Sequence, residues 1–141
     1  MALPAGWRPI PATEAWDGTT GITNEDPWVD QFISERGTIA WAFAAPTSKS
    51  LDELTADQIA SGAERECSTT PETDEETTVG DAPARFVVTH CPADSETVVA
   101  WADLVHKGDG YFFYFIYPDS LAADPNPLDP FRELLSGIEF R

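Results

Sequence analysis

Two cysteines and two histidines carry most of the reactive chemistry available to this chain, and their placement limits what that chemistry can be. Cys67 follows a predicted helix and Cys91 closes a predicted strand, an even pair with no CxxC spacing. Joined, they form a structural disulfide worth roughly 3–4 kcal/mol through restriction of the unfolded chain. Left apart, they are two buried thiols or members of a redox or metal site, although no third or fourth ligand stands at zinc-like spacing. His90 adjoins Cys91, but neighbouring strand residues point to opposite faces, which argues against a reactive thiol–imidazole pair. A disulfide implies an oxidising, extracytoplasmic setting.

Nucleophilic and acid–base catalysis find little support. Ser95 and Ser120 sit in turn-rich stretches without a nucleophile-elbow pattern, and only His90 and His106 could serve as histidine bases. His106 ends a strand beside Lys107-Gly108, where a solvated side chain is the simpler expectation. With 25 Asp and Glu residues in the chain, no single carboxylate pair signals glycosidase-type chemistry. Glu72-x-Asp74-Glu75-Glu76 lacks the ligand order and turn glycine of an EF-hand. There is no glycine-rich phosphate loop and no dinucleotide fingerprint. The sequence therefore reads as non-enzymatic, with no catalytic residue, metal site or cofactor.

Charge and aromatic content point to contacts instead. Twenty-five acidic residues against 8 basic ones give a net charge of -17, a field that repels nucleic acid and anionic lipid and attracts cationic surfaces. The same charge also serves solubility or adaptation to salt. Trp16-Asp17 and Glu25-Asp26-Pro27-Trp28-Val29-Asp30 combine acidic groups with aromatic anchors in an irregular segment. Trp16, Asp17, Trp28 and Asp30 are therefore expected to form a binding surface, with Glu75 and Glu76 as a second acidic patch. The competing expectation is that the two tryptophans cap the core. The expected partner is a protein with a basic surface. No stretch approaches the ~20 apolar residues of a membrane span, so direct membrane insertion is not expected.

The elements that must position these residues read as follows. Trp7 to Pro11 can be only an edge strand or extended segment, because proline removes ladder donors. Asp26 to Ile33 suggests a short turn of helix, capped by Asp26 with Pro27 in first position. Thr38–Phe43 alternates as a strand does. A helix then starts at Ser50, whose pairing with Glu53 makes a capping box. Glu66 to Thr70 could extend into a strand, and Pro71–Glu76 reads as an acidic connection. Ala84–Cys91, Glu96–His106 and Tyr111–Tyr117 follow as antiparallel strands, the last apolar on both faces and so predicted to be central. The glycines of Lys107-Gly108-Asp109-Gly110 are expected to supply the positive φ angles of a hairpin. Pro130 opens a last helix with Asp129 as its cap, and Ile138-Glu139-Phe140 ends the chain as a short strand or tail. The composition of 42% hydrophobic residues supports a proper core, and residues 1–141 read as a single α+β domain.

In this order the chain resembles the PsbP-like family. Pro4-Ala5-Gly6-Trp7 is similar to the family's opening Pro-x-Gly-Trp element, and Ser50-Leu51-Asp52-Glu53-Leu54 to the start of its central helix. Gly80-Asp81-Ala82-Pro83-Ala84 resembles the Gly-x-x-Ala step into its meander. Phe131 through Leu134-Leu135-Ser136 to Ile138 and Phe140 resembles its closing helix and strand. The resemblance implies an antiparallel meander flanked by helices and a binding or assembly role without a shared catalytic residue. Met1-Ala2-Leu3-Pro4-Ala5-Gly6-Trp7 has neither the charged nor the apolar region of a signal peptide, which suits the mature part of a secreted or lipoprotein-type precursor. An acidic inhibitor or immunity-type protein, neutralising a basic toxin or enzyme, is the alternative function.

Overall fold

A computed structural model describes residues 3, 5–16, 26–35, 38–63, 67–68, 70–91, 97–118 and 126–140. Its strands are β1 (Trp7–Ile10), β2 (Asp30–Ser34), β3 (Ile39–Pro46), β4 (Thr73–Val79), β5 (Ala82–Cys91), β6 (Thr97–His106) and β7 (Asp109–Pro118). Helices α1 (Leu51–Ala63) and α2 (Asp129–Ser136) complete the described elements. All seven strands pair antiparallel in one sheet, in the order β1-β2-β3-β7-β6-β5-β4. Two meanders, β1 to β3 and β4 to β7, thus meet where β3 lies against β7.

β7 is central because neither of its faces is polar. Tyr111, Phe113, Phe115 and Tyr117 pack on one side of the sheet with Phe86, Leu104 and the α2 residues Phe131, Leu134 and Leu135. Phe112 and Tyr114 pack on the other with Phe43, Val87, Trp101 and Leu54 of α1. Strand periodicity of two makes this division automatic once the register is set. The α2 face is held by aromatic stacking, with Phe115 and Phe131 rings 5.3 Å apart and nearly parallel. On the α1 face the Tyr114 hydroxyl donates to Gln58 Oε1 and so anchors the helix to the sheet.

α1 starts as the sequence predicts. Ser50 N–H donates to Glu53 Oε2 at 2.7 Å, and Glu53 N–H donates back to Ser50 Oγ at 3.2 Å. Asp129 does not cap α2; it is the first residue of that helix, and Leu128 occupies the cap position without a side-chain bond. Two hairpins of the second meander, β4–β5 and β6–β7, close through two residues with positive φ, the geometry that matches strand twist. They are Gly80 (55°) with Asp81 (68°), and Lys107 (50°) with Gly108 (83°). The expected pair of hairpin glycines is thus corrected: Gly110 lies in β7 opposite Ala45, and Lys107 takes the left-handed conformation. Gly80 has a second reason to be glycine, since a Cβ there would fall 2.7 Å from Phe140 Cδ2.

The expected α+β class is also corrected. Among the described residues strand outweighs helix by 49% to 18%, so the fold is mainly β, and two short helices do not flank the sheet along its length. The excess strand comes from segments that read as something else. Asp30–Ser34 is β2 rather than part of a helical turn, and Thr73–Val79 is β4 rather than an acidic connection. Both satisfy backbone hydrogen-bonding groups that a loop would leave to water. The glutamates of β4 are compatible with a strand because β4 is an edge, where charge is tolerated and discourages further pairing. β1, with Pro9, forms the opposite edge as expected.

Cys67 and Cys91 are joined by a disulfide with Cα atoms 4.0 Å apart, which settles the alternatives left open by their spacing. The bond ties the segment before β4 to the end of β5, next to a Ser68 N–H to His90 C=O hydrogen bond of 3.0 Å.

Two measurements test this architecture. Phe115→Ala should destabilise the protein by about 3–5 kcal/mol, as truncation of a buried aromatic does, and a loss under about 1 kcal/mol in denaturant titration would contradict the central placement of β7. Cys67→Ser should lower the melting temperature, and native protein should resist alkylation until reduced; two alkylated thiols without reductant would contradict the bridge.

Candidate binding groove

β2 is shorter than the strand it pairs with. It covers β3 only from Ile39 to Ala42, whereas β7 pairs with β3 all the way to Pro46. Past Ala42, β3 therefore has no described neighbour on its β2 side. Two backbone bonds establish which groups face this notch. Ser34 N–H donates to Thr38 C=O on the β2 side, and Thr47 N–H donates to Gly108 C=O on the β7 side. Alternation then turns the N–H and C=O of Ala44 and the C=O of Pro46 into the notch. Proline at position 46 fits this phase, because the donor it lacks is one that the sheet does not use.

Beside the notch lies an open groove of about 650 Å³. Ala42, Ala44, Tyr111 and Phe113 form its floor, Trp28, Asp30 and Phe32 one wall, and His106, Ile138, Glu139 and Phe140 the other. The groove exists because the alanines of β3 are small and the α2 ring Phe131 packs on Phe86 of β5 and Phe115 of β7 rather than at the Ala42–Ala44 end of β3. Phe140 shapes the far wall. Its ring stacks on His106 at 4.5 Å and meets Tyr111 edge-on at 5.0 Å. His106 is consequently half-buried with Nε2 shielded, rather than the solvated residue expected from its strand-end position. Asp30, Asp109 and Glu139 put three carboxylates at the groove against the single ammonium of Lys107.

The predicted binding residues separate into three places. Trp28 and Asp30 come together in the groove wall, and Asp30 Oδ1 also accepts the Ala12 N–H at 2.7 Å. Trp16 instead packs against the opposite face, edge-on to Phe43 at 5.2 Å and to Phe112 at 6.4 Å. Trp28 too touches that cluster, so both tryptophans have a core-capping role. Glu75 and Glu76 lie on β4, at the far end of the strand order, where Glu75 accepts from Arg132 at 3.1 Å. Asp17 falls outside the described residues.

A second cluster went unread in the sequence. Asp103 in β6 is completely buried beneath α1, with Oδ2 accepting the Trp101 indole N–H at 3.1 Å. Its Oδ1 and the neighbouring Thr55 hydroxyl are both buried without a well-aligned hydrogen bond. Burial pushes the Asp103 carboxyl up to about 8, although the Trp101 indole, the Thr55 hydroxyl and the Arg85 guanidinium each pull it down. Arg85 is itself clamped, donating to Asp74 at 2.6 and 2.7 Å and to Asp52 of α1 at 2.7 Å. Hydrogen bonding to Asp74 raises the guanidinium further above its usual range. Arg85 ties α1 to β4 and β5 at the surface, while Asp103 itself is enclosed and closed to a ligand. Alternating Val99-Ala100-Trp101-Ala102-Asp103-Leu104 was the available signal, since Asp103 shares a face with Trp101. Among the described residues no three His, Cys, Asp or Glu side chains converge as a metal site.

The fold has a counterpart among solved structures. A crystal structure from Bacteroides thetaiotaomicron VPI-5482 superposes with a TM-score of 0.59 at 9% identity, over 99% of this chain and 43% of that one. This chain thus spans less than half of that protein, and the likeness is one of fold. No protein-family model and no curated protein matches the sequence.

Asp103 makes stability depend on pH with a defined sign. Its folded value of about 8 exceeds the ordinary 3.8, so between these limits the native state holds a proton that the unfolded chain releases. Its stabilising contribution is complete below pH 4 and is lost as pH rises through 8. The total over that window is roughly 6 kcal/mol at most. Asp103→Asn should therefore flatten the fall in unfolding free energy from pH 4 to pH 8; an unchanged slope would show that the carboxyl titrates normally.

Proposed function

We propose that this chain is a non-enzymatic binding or assembly protein that works outside the cytoplasm, secreted or membrane-associated, through protein–protein contacts. The observation that carries the reading is the groove: an aromatic, open concavity with an acidic rim on one face of a rigid sheet. Aromatic anchors supply affinity and the charge supplies steering toward a basic partner surface. The disulfide supports an oxidising location. The motifs that resemble the PsbP-like family support an assembly role. A net charge of -17 also favours the second reading, an acidic inhibitor of a basic toxin or enzyme.

The groove wall provides the test. Trp28→Ala should remain folded with a loss of about 1–3 kcal/mol, since the side chain is half-buried. It should capture less partner from an envelope or secreted fraction, and capture by the wild type should weaken with salt. Unchanged capture by the folded variant would remove the groove from the interface. Hydrolysis of ester, phosphate or glycoside substrates, abolished by changing one carboxylate, would overturn the non-enzymatic reading.

A further inference from the structure

The groove and the notch beside it share Ala44, whose side chain helps form the floor of one while its backbone faces the other. Among the described residues no backbone group takes up the Ala44 N–H or C=O. An unpaired strand segment bordering an apolar groove is the arrangement on which an extended peptide adds as a further strand, backbone bonds giving affinity and alternate side chains entering the pocket. Resting on the binding reading above, we propose that a short extended segment of the partner, with basic and apolar residues taking turns along the face it presents to the groove, docks by adding to β3 at Ala44 and continuing the ladder that β2 leaves off.

Charge complementarity selects the occupant. Side chains directed over the groove meet Ala42, Ala44 and Phe113, which favour an apolar residue. The groove-facing positions two residues to either side meet Asp30, Asp109 and Glu139, which favour Arg or Lys. The other open edge is a poorer acceptor. β4 carries Asp74, Glu75 and Glu76, with Asp74 engaged by Arg85 and Glu75 by Arg132, and such an edge is guarded against strand addition. At the notch the corresponding positions are Ala44 and Pro46, and only Pro46 has lost its donor. Ala44 is thus the one β3 residue past Ala42 able both to donate to and accept from an added strand.

Amide hydrogen exchange with a synthetic decapeptide repeating Arg-Thr-Val-Thr, which sets Arg and Val in turn on one face, tests the proposal on the intact chain. Ala44 N–H should exchange rapidly in the free protein and slow by about tenfold or more at saturating peptide, the scale of one hydrogen bond. Ala44→Pro removes that donor at a strand-edge position where proline is tolerated, and should weaken peptide binding about tenfold with little change in melting temperature. Asp30→Asn keeps the acceptor for Ala12 and should weaken binding at low salt only. Equal affinity for Ala44→Pro, protection of β4 amides in place of Ala44, or an Ala44 amide already slow in the free protein would each overturn the proposal. Protection that appears with protein concentration alone would put a second copy of this chain in the notch, and would overturn it too. The exchange arm needs no variant, so unfolding of Ala44→Pro would not leave the question open. If Trp28→Ala loses the native partner while the peptide leaves Ala44 unprotected, strand addition fails and the binding reading stands. If the peptide protects Ala44 while Trp28→Ala keeps its partner, strand addition holds and that use of the groove wall fails.

Discussion

Burial of β7 on both faces is the constraint from which the remaining structure follows. Seven consecutive residues, Tyr111 to Tyr117, are large and mostly apolar, so neither side of the strand can be left to water. A strand of this kind needs a neighbour on each edge and a layer over each face. β3 and β6 provide the neighbours. On one face α2 brings Phe131 against Phe115, and on the other α1 brings Leu54 into the cluster around Phe112 and Tyr114. Since the connection from β3 to β4 must pass from the middle of the sheet to its far edge, α1 is placed over β5 and β6 on the way.

Two helices this short cannot cover a seven-stranded sheet. The uncovered part lies over β2, β3 and the first half of β7, where Ala42 and Ala44 add little bulk. Water is excluded there only partly, by Trp28 and Phe32 from one direction and the Ile138–Phe140 tail from the other. The groove is thus a consequence of economy in the covering layers, and its chemistry is set by what the N-terminal turn and the C-terminal tail bring to it. Trp28 contributes both to the groove wall and to the cluster on the opposite face, because it sits in the turn just before β2 begins.

The centre of the sheet was legible in the sequence because there local pattern and tertiary demand agree. Tyr111–Tyr117 reads as a central strand, and Ser50 with Glu53 as a helix start, from side chains that act on their immediate neighbours. The edges were not legible. Thr73-Asp74-Glu75-Glu76-Thr77-Thr78-Val79 has no apolar alternation, and only the register Val79 to Ala82 and the two-residue Gly80-Asp81 turn commit it to pairing with β5. Asp26 and Pro27 make a plausible helix start, but Phe32 had to face the α2 side of the sheet, and that requirement selected a strand. For the site, Trp28 and Asp30 were legible as an acidic–aromatic pair, whereas the notch at Ala44 depends on where β2 stops. No property of Ala44 itself announces it.

The distribution of charge connects these observations to function. Among the described residues, three cations, Arg85, Arg132 and Lys49, are engaged within the molecule. Arg85 lies between Asp74 and Asp52, Arg132 reaches Glu75 while lying 4.2 Å from the centre of the Phe86 ring, and Lys49 pairs with Asp57. These pairs are exposed or half-exposed and contribute little stability individually. Their larger effect is to use the chain's few positive charges internally. Asp103, by contrast, is acidic in sequence but neutral in its buried site near pH 7, because enclosure under α1 costs the ionised form more than Trp101, Thr55 and Arg85 return. The negative field therefore originates at the surface, and the carboxylates of the groove rim are part of it. Under the proposed function, positive charge on a partner would draw it to this face, and the uncovered strand would offer the hydrogen bonds that fix its orientation.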